Sequence, residues 1–123
     1  MKLEGRAQAG VLSLLTYAGI FFLSSLPQSS LPSGVPDVIP HVGEYALLAF
    51  FFVQIFPAPR RLPSLLAAFL LLALLGLLDE WHQLSTPGRF FSMLDVLYDS
   101  LGAAAGMAVY LVLSRRSRVI SEK

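Results

Sequence analysis

Four long apolar stretches constrain the fold of this chain more than any other feature of its sequence. They cover about residues 7–26, 41–56, 63–84 and 93–114. A helix that crosses a bilayer needs about 20 residues, with a range of roughly 17–25. The first, third and fourth stretches have that length, and the second reaches it when its polar first turn lies among the lipid headgroups. The sequence therefore predicts an all-α membrane protein with four transmembrane helices in a compact bundle.

The composition also favours a membrane protein over a soluble one. Hydrophobic residues make up 55% and charged residues 14% of the 123 residues, whereas a typical soluble domain has about 25% charged residues. Cysteine is absent, which excludes disulfides and thiolate metal sites. We expect a single domain over residues 1–123. The first stretch is too long for a signal peptide and no cleavage site of small residues follows it, so we expect it to be retained as an anchor.

The basic residues predict an orientation in the membrane. Eight of the nine precede the first stretch, separate the second from the third, or follow the fourth: Lys2, Arg6, Arg60, Arg61, Arg115, Arg116, Arg118 and Lys123. Basic residues of this kind remain in the cytoplasm. We therefore expect both termini to be cytoplasmic, with residues 27–40 and 85–92 on the outer side.

The acidic residues concentrate at the opposite side. Six of the eight lie in the outer segments or near the outer ends of the predicted helices, namely Asp37, Glu44, Asp79, Glu80, Asp95 and Asp99. The only basic residue among them is Arg89. Avoidance of basic residues on the translocated side explains the missing lysines, but it does not explain acids within apolar helices.

Helical spacing places these polar residues on shared faces, because residues i, i+3, i+4 and i+7 of a helix lie on one side. An ionised carboxylate facing lipid costs several kcal/mol, so the acids should face the bundle interior or a water-filled cavity. The sequence predicts an outward-opening pocket. Its candidate lining residues are Asp37, His41, Glu44, Tyr45, Asp79, Glu80, Gln83, Arg89, Asp95 and Asp99. The glycines Gly76, Gly102 and Gly106 continue the same faces inward, where small residues let helices approach closely.

Simpler roles are open for several of these residues. Ser92 and Asp95 follow a loop and could cap the fourth helix. Arg89 could form an ion pair with Glu80 or Asp95. We interpret His82 as an interfacial residue that points away from the pocket.

The sequence "DVIPHVGEY", followed by "DEWHQLSTPGRFFSMLDVLYDSLGAAAG", resembles the VanZ-like family of small bacterial membrane proteins. The matching residues are Asp37, His41, Tyr45, Glu80, Gln83, Pro87, Gly88, Arg89, Asp95, Gly102 and Gly106. Two positions depart from the family pattern: Val38 stands where lysine is common, and Asp99 stands where asparagine is usual. Both departures make the predicted pocket more negative.

The resemblance implies a cell-envelope protein of the bacterial cytoplasmic membrane. The founding member of the family is associated with resistance to the glycopeptide teicoplanin. The resemblance supplies no catalytic residues, so it indicates kinship rather than a reaction.

Our first functional hypothesis is a membrane-embedded binding protein that holds an envelope precursor or a lipid headgroup in the pocket. Arg89 would contact a phosphate or carboxylate, since a guanidinium matches these groups with two hydrogen bonds. The expected partners are membrane lipids and a lipid-linked cell-wall precursor, not a nucleic acid, and the oligomeric state is left open.

The alternative hypotheses use the same acids differently. A metal-assisted enzyme acting on a lipid-linked phosphate could bind Mg²⁺, Mn²⁺ or Zn²⁺ through His41, Glu80, Asp95 and Asp99. Acids within membrane helices also occur in proton or solute translocation. However, the inner halves of the predicted helices offer no continuing polar path. A purely structural role, with paired or protonated acids, is the remaining interpretation.

Overall fold

The computed structural model describes residues 3–121, and its regular secondary structure in that range is entirely helical. The four α-helices are α1 (Leu3–Ser24), α2 (Val38–Phe52), α3 (Leu62–Gln83) and α4 (Met93–Ser121). Two short 3₁₀ turns cover Gln28–Ser30 and Val53–Ile55. Lys2 and Lys123, which contribute to the orientation argument, lie outside the described residues.

All four α-helices are long and apolar enough to cross a membrane, over Glu4–Ser24, Val38–Ile55, Leu62–Gln83 and Met93–Ser117. The prediction of an all-α protein with four membrane helices is therefore confirmed. Many large apolar side chains on the outer faces are exposed, as lipid contact requires; Leu14, Leu70 and Val109 are examples.

The helix bounds differ from the predicted ones in two informative places. α2 begins at Val38, three residues before the predicted start, with Pro40 inside its first turn. Proline is tolerated there because the first N–H groups of a helix have no intrahelical partner. α4 continues past residue 114 to Ser121. Arg115 and Arg116 end the apolar stretch but do not end the helix.

The closest helix contact joins α2 to α4, and glycine makes it close. A Cβ added to Gly102 would lie 2.5 Å from the carbonyl oxygen of Val42, and one added to Gly106 would overlap the carbonyl group of Ala46. α3 packs against α4 in the same region, where a Cβ on Gly76 would lie 2.9 Å from an oxygen of Asp99. α1 packs mainly against α2.

The apolar core occupies the middle of the bundle and extends towards the end that carries the α2–α3 loop. Its buried members are Ile20, Tyr45, Leu48, Ala49, Val53, Ala68, Leu72, Ala103 and Met107. Most of the buried polar side chains lie at the other end of the bundle. This end is formed by the end of α1, the start of α2, the end of α3 and the start of α4.

Candidate functional site

The polar end of the bundle contains a group of buried polar side chains contributed by α1, α3, α4 and the loop after α3. The buried polar residues at this end are Ser24, Asp79, Glu80, Gln83, Thr86 and Asp99. Glu80 and Asp99 have no exposed surface, and Asp79 is only 2% exposed. Because buried charges are costly unless they are paired, the partners of these acids determine what the site can do.

His41 connects α2 to α4 at the centre of this group. Its Nδ1 lies 2.8 Å from an oxygen of Asp99, and its Nε2 lies 3.7 Å from an oxygen of Asp95. Only 12% of the His41 side chain is exposed. Helical spacing explains the arrangement, since Asp95 and Asp99 are one turn apart on α4 and face the same imidazole ring.

The side chain of Glu80 on α3 accepts a hydrogen bond from the backbone just before α4. The amide N–H of Ser92 donates to Glu80 Oε2 at 2.9 Å, and Ser92 Oγ accepts the amide N–H of Asp95 at 3.1 Å. Ser92 therefore caps α4. In a capping box an acid three residues after the cap would accept the cap's own N–H. Here Glu80 accepts it instead, so the carboxylate of Asp95 faces His41.

Three of the four predicted metal ligands lie close together. A ring nitrogen of His41 and one carboxylate oxygen each from Glu80 and Asp95 all lie within 4.8 Å of one another. Asp99 is outside this group, and its Oδ1 lies 2.8 Å from His41 Nδ1. Its free oxygen is buried against Gly76.

α1 contributes to the polar end, which the sequence analysis did not predict. Ser24 Oγ donates to Asp79 Oδ2 at 2.7 Å, and the amide group of Gln83 donates to Ser24 Oγ at 3.4 Å. The hydroxyl of Thr86 donates to the Ser24 carbonyl at 3.4 Å. Asp79 and Gln83, both expected to line a pocket, thus attach α3 to α1.

Arg89 binds backbone carbonyls rather than an acid. Its guanidinium donates to Leu23 O at 3.2 Å and to Leu26 O at 3.4 Å. These carbonyls lie at and just beyond the last turn of α1, where the regular α-helical donors run out, and Leu23 O also accepts the N–H of Leu26 at 3.2 Å. Within the described part of the chain, the ion pairs of Glu80 or Asp95 with Arg89 that the sequence allowed do not form.

A cavity of about 230 Å³ opens beside this group, between the helix ends and the linker before α2. The polar residues that line it are Ser24, Gln28, Asp37, His41, Glu44, Gln83 and Arg89. Leu31, Pro32 and Val35 of the linker supply apolar walls. The predicted residues Tyr45, Asp79, Glu80, Asp95 and Asp99 are not part of the lining; most lie beneath the polar surface, and Tyr45 is buried in the core.

His82 lies apart from the cavity, as its interfacial interpretation requires. Its ring stacks on Phe21 with the ring centroids 4.3 Å apart, and it shares a hydrogen bond of 3.0 Å with the hydroxyl of Ser25. The neighbouring Trp81 is 67% exposed, which suits a residue at the membrane interface.

The helices and the buried polar end define a multi-pass helical membrane protein. The family model described as VanZ/LLP1 matches residues 11–114, so the chain belongs to the VanZ/LLP1 family. This result confirms the resemblance drawn from the motifs in α2, α3 and α4. Neither the curated proteins nor the solved structures contain a match to the chain.

Proposed function

We propose that this protein resides in the bacterial cytoplasmic membrane and binds the headgroup of a membrane lipid or lipid-linked envelope precursor in an outward-facing cavity. The observation that carries the proposal is the lining of the cavity, in which Arg89 lies together with the acids Asp37 and Glu44. A headgroup with an anionic and a cationic group complements both charges. Phospholipids with an amine and peptide-bearing precursors share this chemistry.

The position of the cavity supports access from the membrane. A cavity at the ends of the spanning helices lies at the depth of lipid headgroups. The apolar linker residues, Leu31 and Val35 among them, can contact the acyl or prenyl part of a ligand while its headgroup reaches Arg89. Arg89 is held by carbonyls of α1, so its guanidinium is positioned before a ligand arrives.

The distribution of basic residues supports an outward-facing cavity. Arg6, Arg60, Arg61, Arg115 and Arg116 lie at the end of the bundle opposite to the cavity. The positive-inside rule assigns that end to the cytoplasm.

Labelling of single cysteines tests this orientation, because the chain has no cysteine of its own. Ser30→Cys lies on the cavity side and Ser117→Cys on the other, and both positions are exposed. We expect a membrane-impermeant maleimide to label intact cells at position 30, and at position 117 only after permeabilisation. The reverse pattern would place the cavity in the cytoplasm and refute the proposal.

Substitution of Arg89 tests the binding role. Arg89→Lys keeps the charge but removes the forked geometry, so we expect a roughly tenfold loss of affinity for the headgroup, about 1.4 kcal/mol. Equilibrium binding to nanodiscs should compare phosphatidylethanolamine, phosphatidylglycerol and a lipid-linked peptide precursor. Arg61→Lys, exposed at the opposite end, is the matched control. Equal affinity of wild type and Arg89→Lys for every lipid would refute this role for Arg89.

The comparison among lipids distinguishes the two sources of the same chemistry. Preference for phosphatidylethanolamine over phosphatidylglycerol indicates a bulk lipid, whereas preference for the peptide precursor indicates a cell-wall intermediate. The second outcome supports a role in limiting access of glycopeptides such as teicoplanin, which the family resemblance implies. Translocation is less well supported, because the core beneath the site consists of apolar residues such as Leu48, Val53 and Leu72.

A metal-assisted enzyme acting on a lipid-linked phosphate is the second candidate. The grouping of His41, Glu80 and Asp95 favours it, since a bound cation could polarise a phosphoryl oxygen. Metal-dependent release of phosphate from a lipid-linked substrate by the purified protein would support this candidate over simple binding.

A further inference from the structure

We infer that His41, Glu80 and Asp95 form a binding site for a divalent transition-metal cation, Zn²⁺ or Mn²⁺, where α2, α3 and α4 meet. Their three ligand atoms lie within 4.8 Å of one another. Ligands about 2.0–2.2 Å from one zinc ion are roughly 3–4 Å apart, so a small inward movement of the side chains completes the site. The inference goes beyond headgroup binding and does not depend on it.

The contacts of His41 are those of a metal ligand. Histidines that bind metals usually donate their second ring N–H to a carboxylate, which fixes the tautomer and the ring orientation. Asp99, fully buried, accepts such a bond from Nδ1 at 2.8 Å. In the neutral ring that carries its proton on Nδ1, Nε2 keeps a lone pair, and this atom lies 3.7 Å from an oxygen of Asp95. This distance is too long for a hydrogen bond, and a cation between the two atoms satisfies both.

Glu80 provides an independent observation. The residue has no exposed surface, and Oε2 is held by the Ser92 N–H. Oε1 is buried without a hydrogen-bond partner. A buried carboxylate oxygen without a partner is costly. A cation shared with His41 and Asp95 supplies the missing interaction.

The ligand atoms also select the class of metal. One imidazole nitrogen and two carboxylate oxygens fit Zn²⁺ or Mn²⁺, whereas Mg²⁺ and Ca²⁺ favour sites composed of oxygen alone. Asp99 is then a positioning residue that orients His41 and does not contact the cation. His41 belongs to both the metal site and the lining of the cavity.

Calorimetric titration of Zn²⁺ and Mn²⁺ into the metal-free protein in detergent tests the inference without any lipid ligand. We expect saturable binding of one cation per chain. Glu80→Gln and Asp95→Asn should weaken it by more than about 100-fold, and Asp99→Asn by about 10–100-fold, the usual range for partners of metal ligands. Asp79→Asn is the matched control, because Asp79 is the buried neighbour of Glu80 and lies outside the three ligands. Its affinity should stay close to that of wild type.

Either of two titration results would overturn the inference: absence of saturable binding to folded wild type, or an equal loss of affinity in Asp79→Asn and Glu80→Gln. Because the buried variants could fail to fold, Co²⁺ added to wild type provides a second measurement. Visible absorption bands of a nitrogen-ligated Co²⁺ that disappear on addition of Zn²⁺ support the site, and their absence refutes it. Failure of metal binding leaves the lipid experiments intact, so the two proposals fail separately.

Discussion

Two helix contacts in this bundle are made in opposite ways. In the α2–α4 contact, the backbone at Val42 and Ala46 lies directly against Gly102 and Gly106, with no side chain between them. In the α1–α3 contact, the helices are joined at the polar end by hydrogen bonds among Ser24, Asp79 and Gln83. One contact depends on the absence of side chains, and the other depends on particular polar atoms.

Both kinds of contact follow from the lipid that surrounds the helices. Lipid tails are as apolar as leucine, so burial of apolar surface does not bring membrane helices together, and close packing and interhelical hydrogen bonds remain. The glycine contact lies beneath the His41, Asp95 and Asp99 group, and it fixes the distance between α2 and α4. The polar contact lies beside the cavity and fixes α1, whose carbonyls hold Arg89.

Gly106→Ala should break the first contact and have the largest effect. The added Cβ overlaps the Ala46 backbone, which cannot rotate away, so we expect the free energy of unfolding to fall by about 3 kcal/mol. Gly19→Ala in α1 is the control, since a Cβ there has no neighbour within 4 Å. Its unfolding free energy should stay unchanged or rise by up to about 1 kcal/mol, because alanine favours a helix more than glycine does. Unfolding in mixed micelles measures both values, and equal values would contradict the close contact.

Ser24→Ala tests the second contact and should have a smaller effect. It removes the hydrogen bond to Asp79, which leaves neither Asp79 oxygen with a partner, and we expect a loss of about 1 kcal/mol in unfolding free energy. Ser13→Ala is the matched control, because that buried hydroxyl bonds only the Ala9 carbonyl of its own helix. A double-mutant cycle with Asp79→Asn isolates the pair. An equal loss in the two serine variants would show that α1 is not held through Asp79.

The sequence was sufficient for the features that depend on composition and period. Length and apolarity predicted the four helices, and the 3.6-residue period placed polar residues such as Asp95 and Asp99 on one helix face directed into the bundle. It could not predict the role of Ser24. Hydroxyls in membrane helices commonly bond the carbonyl four residues earlier, as Ser13 does here, and no pattern distinguishes the serine that bonds another helix.

The sequence also could not predict the contacts of Arg89. Opposite charge allowed an ion pair with a nearby acid, but Arg89 donates instead to the Leu23 and Leu26 carbonyls at the end of α1. Which acceptor lies within reach depends on how the loop after α3 passes α1. In the structure this loop lies against the linker, with the Gln28 N–H donating to Pro87 O.

The order of the helices along the chain has a consequence for biogenesis. Ser24 and Asp79 belong to α1 and α3, so their hydrogen bond can form as soon as the third helix has entered the membrane. His41 and Glu80 then still lack the residues that satisfy them, because Ser92, Asp95 and Asp99 all arrive with α4. The fourth helix supplies these partners in a single step, so the polar site is completed only once α4 has joined the other three helices.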